Sequence, residues 1–267
     1  MGHRPEGSLG GAAPPDASRA ERALHERTRL AFEAATTAGV AGHFLVLDQG
    51  PLRAVLATDP ALAFLSTVSG VTPATALAAI DLVAAPVWKA VVPTLVVARD
   101  EDDAAAAHLL EAGLVRGPDR ALALKRLDDA AAPAAPGDRD VVDAGDDEEF
   151  LRVLLAGYGV DGPVAAFIAA DHRGPAVRRL LVVDDGAPIA AAAMTLHGDV
   201  AVLGGASTLP AHRGRGAQAR LVEHRVRLAA GLGCGLAVAS VRPGSVSAAN
   251  LHRAGFQVHH RSTWTKP

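Results

Sequence analysis

The chain holds one cysteine, Cys234. That excludes a disulfide framework within it and fits a reducing cytoplasm. Cys234 itself reads as a small, inert, buried residue following a helix. Aromatic residues make up only 3%, so the core must be built from alanine, valine and leucine. No long apolar run is present. Segments such as residues 188–194 fall far short of the roughly 20 residues a membrane span needs, and the first 18 residues contain no apolar signal core. A net charge of −3 gives no electrostatic case for nucleic acid. With 49% apolar and 21% charged residues, the chain can bury a sizeable core, in one large domain or two of ordinary size.

The informative stretch runs Ser207-Thr208-Leu209-Pro210-Ala211-His212-Arg213-Gly214-Arg215-Gly216-Ala217-Gln218. An apolar strand over 200–205 precedes it and an amphipathic helix over 216–230 follows. The first turn of a helix has unpaired N–H groups and the positive end of the dipole. Glycines let the backbone approach an anion closely. Strand, Gly/Arg loop and helix in that order predict an anion site. In the helix, Arg225 interrupts the apolar arc of Ala217, Leu221, Val222, Val226, Leu228 and Ala229, with no evident partner.

Around this stretch the elements follow from pattern and punctuation. Residues 1–18 are rich in Gly, Pro and Ala and read as a disordered tail. Ser18 is placed to cap a helix over 19–37, with Glu21 as its capping-box partner. Strands are expected at 44–47, 52–57, 64–68, 93–98 and 122–127. A helix capped by Thr72 should run to 84, and one capped by Asp100 to 112. Residues 129–138, Ala- and Pro-rich, are the best linker in the chain. Beyond it come a strand at 140–143, helices at 146–156 and 162–170, and strands at 177–183 and 188–197 joined by the Asp184-Asp185-Gly186 turn. A strand at 236–241, a short helix ending at Gly255, and a final hairpin of 256–259 and 262–265 complete it. Strand, helix and "Leu…Ala-Gly-apolar" occur at 94–114 and recur at 236–256, which suggests a duplicated architecture.

Gly214-Arg215-Gly216-Ala217-Gln218-Ala219 formally fits the dinucleotide pattern G-x-G-x-x-G/A. A dinucleotide fold needs several parallel βαβ units around that turn, and only one strand–helix–strand follows it. The loop 210–217, with its Arg213-Gly214-Arg215-Gly216 core, instead resembles the Arg-Gly-x-Gly pyrophosphate loop of the GNAT superfamily of acetyltransferases. Asn250-Leu251-His252-Arg253-Ala254-Gly255-Phe256 resembles that family's late helix ending in Gly-Phe, and the element order over about 138–267 agrees.

The resemblance implies an α/β fold with a mixed, splayed central sheet of GNAT type over 139–267. A smaller α/β lobe over 19–128, of related topology without the loop, would wall the acceptor site; tandem acetyltransferases of this family are similar in that layout. It also implies acetyl-CoA as cosubstrate, with its pyrophosphate on the amides of Arg213, Gly214, Arg215, Gly216, Ala217 and Gln218. The pantetheine arm would pair with Ser207, Thr208 and Leu209. The expected reaction is acetyl transfer to a primary amine by direct attack. Where the family often has an acidic tyrosine this chain has Leu251, and Val202, Leu203 and Gly204 offer no strand carboxylate. Asn250 and Ser240 remain as polar candidates at the thioester, with Ser247 as a cap or CoA contact. Candidate bases are Glu148, Glu149, Asp171, His172 and His197, His172 being read as a solvated loop residue. No metal site is expected, and His259-His260 is read as surface. The alternative is a catalytically silent acyl-CoA-binding module.

Overall fold

In the computed structural model, residues 14–89, 91–127 and 140–267 are described; the expected linker at 129–138 and most of the expected tail lie outside them. The chain opens on helix α1, Pro14–Thr37. Its start corrects the predicted Ser18 cap. Asp16 is buried between Arg19 (2.8 Å) and Arg126 (2.5 Å), so the helix is held one turn further out. The β1 (Phe44–Gln49) and β2 (Leu52–Ala57) strands form the expected hairpin.

The next strand, β3 (Thr67–Val71), starts later than predicted. Pro60 opens a 3₁₀ turn through Leu65, whose first N–H groups Asp59 caps. Helix α2, Ala76–Ala84, also starts late. The Thr75 hydroxyl accepts from Thr72 N–H (2.8 Å) and donates to Gly70 C=O (2.9 Å), which makes 72–75 a turn. Then come β4 (Thr94–Ala98), α3 (Arg99–Glu111) and β5 (Val115–Arg126). Helix α3 begins directly after Ala98 instead of at an Asp100 cap.

The second half runs β6 (Val141–Asp143), α4 (Asp147–Tyr158, capped by Asp146), α5 (Gly162–His172), β7 (Arg178–Asp184), β8 (Ala187–His197) and β9 (Val200–Thr208). It closes with α6 (Ala217–Gly231), β10 (Leu236–Val241), α7 (Val246–Arg253) and β11 (Gln257–Thr265). The predicted terminal hairpin is instead this single strand. Its register slips at Ser262, and it pairs with β5 on one edge and β4 on the other.

Among the described residues eleven strands form one sheet, in the order β1-β2-β3-β4-β11-β5-β10-β9-β8-β7-β6. The order is symmetric about β5 and β11. On one side β3 and β4 are parallel; on the other β9 and β10 are parallel. The repeat seen at 94–114 and 236–256 is therefore a repeat of place. Alternation along each strand separates two helical layers. Leu122, Leu124, Val202 and Val238 face the alanines of α1, while Ala121, Ala123, Leu203 and Ala237 face α6 and α7. Helix α4 covers Leu181, Ala191 and Ala193, while α6 covers Leu180, Ala190 and Ala192 from the opposite side.

The two parallel pairs differ at one point. In the first half pairing resumes after a register shift beyond Val68 and reaches Val71↔Val97, near the ends of both strands. In the second half it stops at Val202↔Val238 although both strands continue.

Candidate active site

The strand separation has a local cause. Pairing of β9 with β8 jumps from Gly204↔Ala193 to Ser207↔Ala191, one extra residue on β9, with Gly205 at φ 53. Such a bulge bends the strand and increases its twist, swinging residues 203–208 away from β10. The site demands glycine twice over: the φ is left-handed, and a Cβ at Gly205 would lie 2.0 Å from His172 Nε2. Between the parted strands lies a cleft of about 990 Å³.

At the mouth stand Gly214 and Gly216, both with φ 79, and a Cβ at either would meet nothing within 4 Å. Gly216 is the N-cap of α6 and supplies no side chain. Ala217 is buried beneath. The first-turn amides of α6 therefore face open space at the positive end of the helix dipole, which suits a phosphate.

The other loop residues brace this cradle. Arg213 turns back: Nη2 donates to Gly157 C=O (2.8 Å) and Nε to Thr208 C=O (3.3 Å). Gln218 Nε2 donates to Ser207 C=O (2.7 Å) and Thr208 Oγ1 (3.0 Å). Ser207 is buried, its hydroxyl donating to Leu154 C=O (2.9 Å). Ser207 and Thr208 line the cleft. Leu209 packs against the α4 cluster, its N–H donating to Ile189 C=O (2.9 Å). Arg215 is exposed and lies outside the lining.

On the facing wall are Ser240, Ser247 and Asn250. The helix cap is Ser245, whose Oγ accepts from Ala248 N–H (3.2 Å), which leaves Ser247 exposed to the cleft. Asn250 Oδ1 accepts from Arg253 Nη2 (2.8 Å). Leu251 is buried in the α6–α7 core.

None of the acids and histidines proposed as bases lines the cleft. Glu148 pairs with Arg173, and Glu149 lies 4.0 Å from Arg152. Asp171 is gripped by both terminal nitrogens of Arg27. His172 corrects the reading of a solvated loop residue. It ends α5, is buried, and its Nδ1 lies 2.8 Å from Ile168 C=O. His197 Nε2 lies 2.9 Å from Thr195 Oγ1. His259 and His260 are half-buried rather than surface. Among the described residues no group of three or more His, Cys, Asp or Glu is arranged to hold a metal ion.

Burial is the largest cause lowering the pKa of His25, His172 and His197 below the usual 6.5. In mild acid the unfolded chain takes up protons there that the folded chain refuses. Stability from these groups is thus full above 6.5 and lost as pH falls through and below it. Urea midpoints measured from pH 7.5 downward should drop, and His172→Gln should flatten part of that slope.

Among the lining residues to which sequence reasoning gave no role, two are polar and come from α4 and α6. One is Tyr158, the only tyrosine, on the last turn of α4. The residue is 41% exposed at the cleft; partial desolvation raises its pKa, while the Ala206 backbone and Arg225 act in the opposite direction. The other is Arg225, 2% exposed. It donates from Nε to Leu221 C=O (3.1 Å), and from Nη1 to Ala193 C=O (3.0 Å) and Gly204 C=O (3.3 Å). Burial lowers its pKa to about 10. The sequence signal for Arg225 was the break in the apolar arc; for Tyr158 there was none.

No curated protein matches the chain. Among solved structures, a GCN5-related N-acetyltransferase from Kribbella flavida is similar in fold, with a TM-score of 0.61 and 21% identity over 90% of this chain and 94% of its own. An acetyltransferase from the GNAT family of Colwellia psychrerythraea has a TM-score of 0.58 and 15% identity over 96% and 97%. A tandem GNAT protein from the clavulanic acid biosynthesis pathway has a TM-score of 0.54 and 16% identity over 92% and 94%. The family model described as Acetyltransferase (GNAT) family matches residues 148–256, a span that contains the bulge, the glycine cradle and α7. That match identifies a GNAT acetyltransferase domain over residues 148–256 of this chain.

Proposed function

We propose that the chain transfers an acetyl group from acetyl-CoA to a primary amine of a small-molecule acceptor. In this reading residues 139–267 carry the site, residues 19–128 wall the acceptor side, and the reaction takes place in the cytoplasm. The observation that supports it most is the cleft between β9 and β10, which ends at an uncapped helix N-terminus behind two open glycines. The pyrophosphate would lie on the α6 amides and the pantetheine arm along the unpaired edge of β9. Backbone donors freed on that edge polarise the thioester carbonyl and hold the oxyanion of the tetrahedral intermediate. Ser240, Ser247 and Asn250 offer polar contacts from the facing wall. Held together, amine and thioester react by direct attack, much of the rate coming from proximity.

Thiol release from acetyl-CoA across a panel of amines tests this. Binding of acetyl-CoA with no turnover on any acceptor would favour a silent acyl-CoA-binding module, a reading supported by the apolar Leu251 and the absence of carboxylates from the cleft lining. The anion cradle has its own test. Gly216→Glu sets bulk and negative charge where the pyrophosphate lies, and acetyl-CoA affinity should fall at least ~10-fold, about 1.4 kcal/mol. Gly216→Ala, which adds only backbone strain, separates strain from charge in the same calorimetric titration. Equal affinity for all three folded proteins sinks the assignment.

A further inference from the structure

We propose that the closed end of the cleft is a carboxylate site built on Arg225, which selects acyl groups ending in a carboxylate, such as malonyl or succinyl, over uncharged ones. The inference rests on the acyl-CoA reading and concerns which acyl group that cleft prefers.

Arg225 is the starting observation. It is 2% exposed, and among the described residues only the backbone carbonyls of Leu221, Ala193 and Gly204 accept from it. No Asp or Glu lines the cleft among the described residues. The ionisable side chain that acts on Arg225 is the Tyr158 phenol, which is uncharged at neutral pH. Asp171, which also acts on Tyr158, is already gripped by Arg27. A buried cation without a counter-charge is costly. The three carbonyls do not explain it, since a neutral donor would hold them equally well.

The geometry leaves one part of the side chain over. Nε and Nη1 are occupied by the carbonyls, while Nη2 makes no hydrogen bond among the described residues, and the residue lines the cleft. A guanidinium fixed by two of its nitrogens, with the third open, is one preorganised half of a charge-assisted pair.

Its position rules out the CoA pyrophosphate as the missing anion. Arg225 stands eight residues along α6 from Ala217, about 12 Å at 1.5 Å per residue, whereas the pyrophosphate belongs on the first-turn amides. Arg225 instead binds the Gly204 carbonyl, beside the bulge where the strands part. A CoA anchored at the α6 N-terminus lays its acyl end there. The surroundings suit a short carbon chain. Leu203 precedes Gly204, Val222 lies one turn before Arg225 on α6, and Ala239 belongs to β10, and all three line the cleft. Apolar walls around a cation lower the local dielectric and strengthen its attraction for a carboxylate. The methyl of an acetyl group gives Nη2 nothing to bind. A carboxylate one or two carbons further along the chain supplies the charge that Nη2 lacks.

Equilibrium binding of CoA thioesters tests this in pairs matched for chain length: malonyl-CoA with butyryl-CoA, and succinyl-CoA with pentanoyl-CoA. In at least one pair, wild-type protein should bind the carboxylate member at least about tenfold more tightly, the scale of a hydrogen bond to a charged group. Arg225→Met should erase that ratio. Arg225→Gln, a neutral donor that can still hold the carbonyls, should erase it too, and Arg225→Lys should retain part of it. A purely structural role for Arg225 weakens both members of a pair alike and leaves their ratio unchanged, so the ratio separates recognition from folding. The attraction of the α6 N-terminus is common to every thioester and cancels in it. Ratios near one in both pairs for wild-type protein, or a preference that survives in a folded Met or Gln variant, overturn the carboxylate site and leave the acyl-CoA reading standing. Failure of wild type to bind any of these thioesters, or acetyl-CoA, overturns both readings.

Discussion

Replacing Arg27 with methionine is expected to lower the unfolding free energy by about 3–5 kcal/mol, the usual cost of removing one partner from a buried ion pair. Both terminal nitrogens of Arg27 contact the two carboxylate oxygens of Asp171, and the side chains are only 13% and 11% exposed. Methionine keeps the aliphatic stem and strands a carboxylate against His172, whose Nδ1 is 3.3 Å away. The loss therefore comes from a charge without its partner rather than from a cavity. The double variant Arg27→Met/Asp171→Leu should regain most of it, since no charge is then left buried. Urea denaturation reads both, and a single variant as stable as wild type would refute the assignment. The pair matters beyond its energy because it fastens α1 to α5, one residue from His172.

Gly205→Ala is expected to cost about 3 kcal/mol, from left-handed strain of roughly 1–2 and overpacking of roughly 1–3. Adding His172→Ala removes the 2.0 Å conflict and leaves the strain, so the double variant should recover the packing part alone. The reading fails if the second change recovers nothing. Because the bulge parts β9 from β10, the single variant should also weaken acetyl-CoA binding if it folds at all, and a titration beside the melt would show it.

These effects lay at different depths in the sequence. Local patterns revealed most of the second half: alternation in β7 and β8, the Asp185-Gly186 turn, and the loop ahead of α6 all read from neighbours in the chain. Some of the boundaries that failed were set from elsewhere. Helix α1 starts early because Arg126, remote in sequence, helps bury Asp16. Strand β3 starts late because Ser66 Oγ is bound to the Ala57 backbone. The terminal strand is continuous because β4 and β5 leave it a slot. At the site, the glycine cradle was legible because its chemistry is backbone chemistry, which glycine announces. Tyr158 and Arg225 were not, since nothing near either residue in the chain says that α4 and α6 bring them to one cleft from opposite faces. His172 looked like a loop residue because α5 extends to it beyond Ala170 under the tie of Asp171 to Arg27.

The sheet order has a consequence for how the two halves can be separated. Strand β5 belongs by sequence to the first half and lies beside β10 of the second, while β11 belongs to the second and lies beside β4 of the first. Each half has lent its last strand to the other, a domain swap closed within a single chain. A fragment starting at residue 139 would leave β10 with a bare edge and β11 with no sheet to enter, the kind of unpaired edge that recruits other chains. The first half is therefore a template for the second, and a chain with one broken repeat cannot be rescued by trimming it away.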